Sequence, residues 1–373
     1  MSTSQSVLPP YPHSTLGELH TLAAKFAGRP GAGGPVDLSI GTPVDPPPPG
    51  VLEVLASSGA ERGYPPSHGT LRFRESAAAW LERRFGVQVD PANVAACVGT
   101  KELVAGLPSW LRLLEPERTL VLHPELAYPT YAMGAFLAGG EAKAFLGAPA
   151  PREGAGEPPL CRWVNSPSNP AGTLDDLAAA AAWGRGASVP VLSDECYAEL
   201  TWSGAPRTIL ESGSDGVLAV HSLSKRSSLA GLRAGFFTGD PELVAHLVEV
   251  RRHAGLMVPG PVQAAAAAAL DDDAHAARQA ATYRERLERL VEGLSRWGLP
   301  DVTMPDGGLY VWARHPAGDG WELARRLAEE AGVIVAPGSL YGEAGEAFVR
   351  IAVTTTDAVL DQVISRLETG AWA

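Results

Sequence analysis

Lysine is scarce in this chain. It has 30 Lys and Arg residues, and only Lys25, Lys101, Lys143 and Lys225 are lysines. Lys225 stands in "HSLSKRSSLAGLRAGF", His221 to Phe236, among small polar residues. An amine can lose its proton and condense with a carbonyl to a Schiff base, whereas a guanidinium effectively cannot. A lysine kept between serines in so arginine-rich a chain is a candidate nucleophile and proton carrier, although loop lysines are usually just solvated. Ser222 and Ser224 flank it, and Arg233 follows eight residues later in "GLRAG".

Three further stretches carry chemistry of a related kind. In "VGTKEL" a strand ends, Gly99 and Thr100 turn, and a helix begins at about Lys101. The free N–H groups and dipole of a helix start suit a phosphate, and a Gly-Thr cap is also an ordinary feature. "NSPSNPAG", Asn165 to Gly172, reads as a tight turn with a candidate cis proline, or as a rigid mount for the Asn169 amide. "VLSDECYAEL" places Asp194 at the end of an apolar strand, with Tyr197 three residues on. Such an aspartate often caps the next turn; buried at a ligand site it needs a cationic partner. Taken together, these groups ask for an anionic cofactor with a phosphate, a carbonyl and a cationic ring nitrogen.

Other chemistries lack support. "GAGG", Gly31 to Gly34, follows no strand and lacks dinucleotide-binding spacing. No GxxxxGK[ST], HExxH or GxSxG is present. Cys97, Cys161 and Cys196 are far apart with no metal-ligand spacing, so no metal is expected, and His221 alone reads as structural.

The elements that must position these residues are legible as alternating patterns. "NVAACV", "RTLVLH", "LCRWVN", "VPVLSD", "VLAVHS" and "AGFFTG" read as buried, mainly parallel strands. "ELVAGLPSWLRLL" and "LDDLAAAAAWGRG" between them read as helices, giving an α/β domain. Each candidate lies at the C-terminal end of a strand, where open α/β sheets bind ligands. After Asp240 come helices in "PELVAHLVEVRRHAG", "AHAARQAATYRERLERLVEGLSRWG" and "WELARRLAEEAG", with strands in "GGLYVWAR", "VIVAP" and "FVRIAV". These predict a smaller α+β domain. The large domain is placed at residues 45–259, and the small one at 260–373 together with 1–44. In the N-terminal part, "STLGELHTLAAKFAG" predicts a helix with Ser14 as its N-cap.

Composition sets outer bounds. Hydrophobic residues make up 45 % and charged residues 19 % of 373, so a globular chain with a sizeable core is expected. A net charge of −12 argues against nucleic acid as a partner. No stretch is long and apolar enough to span a membrane, and the N-terminus has no secretory pattern, so a cytoplasmic location is expected.

The ordered set "GTKE", "YPTY", "NSPSNPAG", "SDECY", "SLSK…GLRAG" and "FVRIA" resembles the fold-type I, pyridoxal-phosphate-dependent aminotransferases of class I/II, over nearly the whole chain. The resemblance implies that Lys225 binds pyridoxal 5′-phosphate covalently, Asp194 pairs with its ring nitrogen, and Tyr197 and Asn169 bond its 3-oxygen. Tyr128 would stack on the ring. Gly99, Thr100, Lys101, Ser222 and Arg233 would hold the phosphate, joined by Tyr64 from the neighbouring subunit of a homodimer. Arg350 would clamp the substrate carboxylate beside Gly41. Ala171 stands where the family often has threonine, a position that carries no chemistry.

"LSIGTPVDPPP", "SDECYAELTW" and "HSLSKRSSLAGLRAGF…VRRHAGLMVPGPVQAA" are most similar to the N-succinyldiaminopimelate aminotransferases of bacterial lysine and diaminopimelate synthesis. Amino-acid and 2-oxo-acid substrates are then expected, with glutamate and 2-oxoglutarate as the exchanging pair. A cation must meet the distal end of such a substrate, and Arg72, Lys101, Arg226 and Arg252 are the candidates. The same motifs suit an aspartate, alanine or aromatic aminotransferase, or a C–S β-lyase. A non-enzymatic aminotransferase-like sensor is the remaining alternative.

Overall fold

A computed structural model describes residues 8–29, 33–60, 62–145 and 158–369. The first seven residues of the N-terminus, and Gly31 and Ala32 of "GAGG", lie outside them. In chain order, β1 (Val36–Asp37) precedes seven strands of one sheet. These are β2 (Val94–Cys97), β3 (Leu120–Pro124), β4 (Glu141–Phe145), β5 (Cys161–Asn165), β6 (Val191–Asp194), β7 (Val217–Ser222) and β8 (Gly235–Gly239). The spatial order is β2-β8-β7-β6-β5-β3-β4.

The direction of these strands decides where the site lies. Strands β4, β3, β5, β6 and β7 pair in parallel, while β8 is antiparallel to both β7 and β2. Two reversals cancel, so β2 points the same way as β7. The C-terminal ends of β2, β3, β5, β6 and β7 therefore share one edge, and the motifs that carry Thr100, Tyr128, Asn169, Asp194 and Lys225 each follow one of those ends.

The continuous apolar runs follow from burial on both faces. On one face Val164, Val191, Val217 and Ala219 join a core with Trp80 and Phe236. Their neighbours Trp163, Leu192, Leu218 and Val220 join a second core with Tyr131 and Phe237. The edge strand β4 escapes the sequence reading: "EAKAF" is largely solvent-facing, and its Glu141 and Lys143 protect an open edge.

The small domain holds β9 (Tyr310–Arg314), β10 (Val333–Ile334), β11 (Ala336–Pro337) and β12 (Phe348–Ala352). Strand β12 lies between β11 and β9, antiparallel to both. The N-terminal segment folds onto this part. Strand β1 pairs with β10, and the helix Gly17–Ala27 packs on Gly320–Ala331. Ser14 does not cap that helix: it lies in a 3-10 turn, Pro12–Thr15, and its hydroxyl donates to the Tyr11 carbonyl at 2.6 Å.

One helix packs differently from its sequence assignment. Gly260–Asp271, counted with the small domain, packs on Pro49–Ser57 and Leu71–Phe85 and sends Ala265, Ala266, Ala269 and Leu270 into the large-sheet core. An alanine-rich helix has no long apolar stripe to announce its partner.

Buried Arg286 ties three segments together. From the helix Asp273–Arg296 it donates to both oxygens of Asp45, each at 2.7 Å, and to Asp357 at 2.9 Å. Arg286→Ala removes a bidentate partner from carboxylates on two other segments and is expected to lower stability by about 3 kcal/mol. Chemical denaturation checks this: an unchanged midpoint would show that the arginine is not needed to hold these segments.

Among the described residues no helix is long and apolar enough to cross a membrane, and no group of three or more His, Cys, Asp or Glu is arranged to hold a metal.

Candidate active site

A cavity of about 400 Å³ lies at the shared strand edge, between the large sheet and the small domain. Thr100 and Lys101 reach it from β2, Tyr128 from β3, Asn169 from β5, and Asp194 and Tyr197 from β6. Ser222, Lys225 and Arg233 reach it from the β7–β8 connection, and Gly41 and Arg350 close it from the other side. Of the cofactor and α-carboxylate candidates two do not line it. Gly99 sits just behind, as N-cap of the helix Thr100–Leu111. Tyr64 lies away from the cavity and is 94 % exposed.

One end of the cavity is built for an anion. Gly99 has φ +72°, a backbone conformation that favours glycine, and a Cβ there would lie 2.1 Å from an Arg233 guanidinium nitrogen and push the arginine aside. Arg233 itself is left-handed, with φ 56°. Its Nη1 donates to the Ala230 carbonyl at 2.8 Å. Behind this loop, Glu102 accepts from the Val98 N–H at 3.0 Å and pairs with the buried Arg251 at 2.7 Å, fixing the helix start. Helix N–H groups, the hydroxyls of Thr100, Ser222 and Ser224, and an arginine fork therefore converge without a carboxylate among them.

Asp194 forms the floor. It is 6 % exposed, and its carboxylate accepts from the Tyr131 hydroxyl at 2.9 Å and the Cys196 N–H at 3.2 Å. Tyr131 is in turn stacked on Trp163, ring centroids 4.7 Å apart. No Lys, Arg or His among the described residues forms an ion pair with Asp194. Burial pushes its carboxyl above the usual aspartate range, partly opposed by Cys196 and Tyr131. The sequence requirement for a cationic partner is thus unmet among the described residues.

Asn165, at the end of β5, organises the adjoining loop. Its amide donates to the Asp194 carbonyl at 2.8 Å and accepts from the Asn169 N–H at 2.7 Å. Both X–Pro bonds of "NSPSNPAG", Ser166–Pro167 and Asn169–Pro170, are cis.

Lys225 extends across the cavity, and its amine donates to the carbonyl of Gly41. Burial holds its pKa below the ordinary lysine value. Tyr310 opposes that shift, while the charges of Arg350 and Arg233 reinforce it. The amine is thereby suited to act in its neutral form.

Among the described residues no carboxylate pairs with Arg350. It donates to Asn169 Oδ1 at 2.7 Å and to the Ser39 carbonyl at 2.6 Å, and Nε has no partner among the described residues. Two rings sandwich its guanidinium, Tyr310 at 4.0 Å and Tyr341 at 4.7 Å. A buried, positioned guanidinium with an unused donor fits a substrate carboxylate.

The four candidate distal cations separate clearly. Arg72 pairs with Asp271, Arg226 is buried against Glu199, and Arg252 pairs with Glu249 at 2.7 Å. Lys101 alone of the four lines the cavity, beside Tyr11, whose hydroxyl accepts from it at 3.2 Å. Residues outside the sequence candidates also reach the site: Tyr11, His13, Cys196 and Tyr310 line it, and Tyr131 supports Asp194 from behind. "YPTY" held the signal for Tyr131 and "GGLYVWAR" that for Tyr310, but a tyrosine beside an apolar strand reads as core.

These residues fit a phosphorylated pyridine aldehyde. A carboxylate-free anion cradle, an amine lowered by burial, and a buried carboxylate lacking a cation are the complements of its three polar functions.

The aminotransferase class I and II family model matches residues 34–367. A probable aminotransferase of Mycobacterium tuberculosis is 45 % identical over 96 % of this chain and 85 % of its own length. A 4-dedimethylamino-4-oxo-anhydrotetracycline transaminase of Streptomyces rimosus is 46 % identical over 90 % of this chain and 93 % of its own. Among solved structures, a probable N-succinyldiaminopimelate aminotransferase of Thermus thermophilus superposes with a TM-score of 0.82 at 30 % identity, covering 96 % of this chain and all of that one. The chain belongs to the class I and II aminotransferases, fold-type I enzymes that depend on pyridoxal 5′-phosphate.

Proposed function

We propose that this aminotransferase acts on amino acids with a second anionic group at the distal end, with N-succinyl-LL-2,6-diaminopimelate and 2-oxoglutarate as its pair. The observation that carries this reading is Lys101, the one distal-cation candidate that lines the cavity. The Thermus thermophilus structure, named as a probable N-succinyldiaminopimelate aminotransferase, supports it.

When bound, the cofactor supplies an aldehyde for the amino group and a ring that accepts electrons from the substrate's Cα–H bond. The chain's residues divide the remaining work. Thr100, Ser222, Arg233 and the N–H groups following Gly99 hold the phosphate, with Lys101 at their edge. Asp194 keeps the ring nitrogen cationic, Tyr128 covers the ring, and Tyr197 and Asn169 bond the 3-oxygen. Arg350 orients the substrate through its α-carboxylate, with Gly41 leaving room beside it. Lys225 Nζ would take the proton from the substrate Cα, a role that needs the neutral amine favoured by burial.

Tyr64 is proposed to reach the phosphate of a second copy, which makes the active form a homodimer. Its exposure and its absence from the lining of its own cavity support this arrangement. A cytoplasmic location is proposed with it.

A second reading replaces the 2-oxo-acid acceptor with a bulky ketone, favoured by the similarity to the Streptomyces rimosus tetracycline transaminase. A panel of keto acceptors with glutamate as donor separates the two. Lys101→Ala is expected to raise KM for dicarboxylic substrates about 10-fold or more, the worth of one charged hydrogen bond, while KM for alanine stays within about twofold. Equal effects on both substrate types would remove the support that Lys101 gives to the first reading.

A further inference from the structure

Tyr310 is not among the sequence candidates, yet three parts of the site meet on it. It opens β9 after Gly307 and Gly308 and is 3 % exposed. Its hydroxyl lies 3.0 Å from that of Tyr197, which follows β6 of the large sheet. Its ring covers the guanidinium of Arg350 at 4.0 Å. Its hydroxyl also abuts Gly41, where an added Cβ would lie 2.3 Å away, and the Gly41 carbonyl accepts from Lys225.

We infer that Tyr310 is a positioning residue that fixes the direction of the Tyr197 O–H and so sets how strongly Tyr197 bonds the cofactor's 3-oxygen. This rests on the proposed contact between Tyr197 and that oxygen. A phenol carries one proton. When Tyr197 gives its proton to the 3-oxygen, Tyr310 must be the donor across the 3.0 Å pair and Tyr197 the acceptor. A hydroxyl that accepts a hydrogen bond becomes a stronger donor. Tyr197 then stabilises the negative form of the 3-oxygen more strongly, and the lysine-bound cofactor gives up its proton at lower pH.

Other titratable and charged groups facing this pair are Cys196 and Asp194 beside Tyr197, Lys225 and Arg233 after β7, Tyr128 and Tyr131 on either side of the start of the helix Thr130–Leu137, Tyr283 from the helix Asp273–Arg296, and Arg350 with Tyr341 from the small domain. Tyr310→Phe leaves all of them in place. It removes one oxygen and keeps the ring over Arg350, so the backbone and core need not move.

The test is a pH titration of the visible absorbance of the loaded protein, using wild type, Tyr310→Phe, Tyr197→Phe and the double variant. Tyr310→Phe is expected to move the midpoint up by about half a pH unit. Tyr197→Phe should move it further, and adding Tyr310→Phe to Tyr197→Phe should produce no additional shift. A midpoint that stays or falls in Tyr310→Phe, while Tyr197→Phe still raises it, overturns the inference and leaves the reading of Tyr197 intact. A Tyr310→Phe shift that persists without the Tyr197 hydroxyl also overturns it, because Tyr310 then acts by another route. No shift in Tyr197→Phe defeats the underlying reading itself.

Discussion

Lys225→Ala is expected to fold, to bind pyridoxal 5′-phosphate without a covalent link, and to transaminate at least about 10⁴-fold more slowly than wild type. The size of the effect follows from position. Among the described residues no second amine lies at the same place: Lys101 also lines the cavity, but its amine donates to the Tyr11 hydroxyl. Arg233 and Arg350 carry charge without a proton to exchange at neutral pH. Lys225→Arg therefore separates charge from basicity. It keeps a cation near Gly41 and should be nearly as inactive as the alanine variant. Added methylamine, small enough for the space left by the missing side chain, should restore part of the rate in Lys225→Ala and none in Lys225→Arg. Single-turnover absorbance with glutamate reads all three variants. Near-normal transamination by Lys225→Ala would remove the proton carrier from the assignment.

The positions of Thr100, Tyr128, Asn169, Asp194 and Lys225 were legible because each follows an apolar strand of the large sheet, and buried parallel strands leave the plainest trace in a sequence. The six runs read as strands are β2, β3 and β5 to β8. The antiparallel sense of β8 was not legible, because burial on both faces erases the alternation that marks direction and neighbours. Contacts between segments far apart in the chain were also hidden. Asn169 with Arg350 and Tyr197 with Tyr310 pair residues separated by more than 100 positions, and nothing local in either segment announces the other. The packing of the helix Gly260–Asp271 in the large-sheet core was hidden for the same reason: its alanines carry no stripe that names a partner. The choice of Lys101 among four cations depended on which arginines were already occupied, a property of the folded chain alone.

Asp194→Asn should pull stability and activity apart. Burial raises the Asp194 carboxyl above its ordinary range, so the folded chain binds this proton more tightly than the unfolded one does. The sign follows directly: ionised Asp194 opposes folding, and its penalty sets in as pH rises through the unfolded value near 4 and persists above it. Asparagine has no charge to bury and still accepts from the Tyr131 hydroxyl. The cofactor-free variant at neutral pH is therefore expected to be at least as stable as wild type, with the difference closing below about pH 3. Loaded with cofactor, the order reverses. Wild type gains a cation opposite its buried carboxylate, whereas the asparagine variant does not, so pyridoxal 5′-phosphate should raise the melting temperature of wild type more. Transamination in Asp194→Asn is expected to fall by about 10²- to 10⁴-fold, the cost of losing one partner of a buried ion pair at the reacting centre. Melting curves with and without cofactor at pH 3 and pH 7, beside steady-state rates, measure each quantity independently. A cofactor-free variant that melts well below wild type at pH 7 would mean that the carboxylate serves the fold. An active variant would mean that it does not serve the ring.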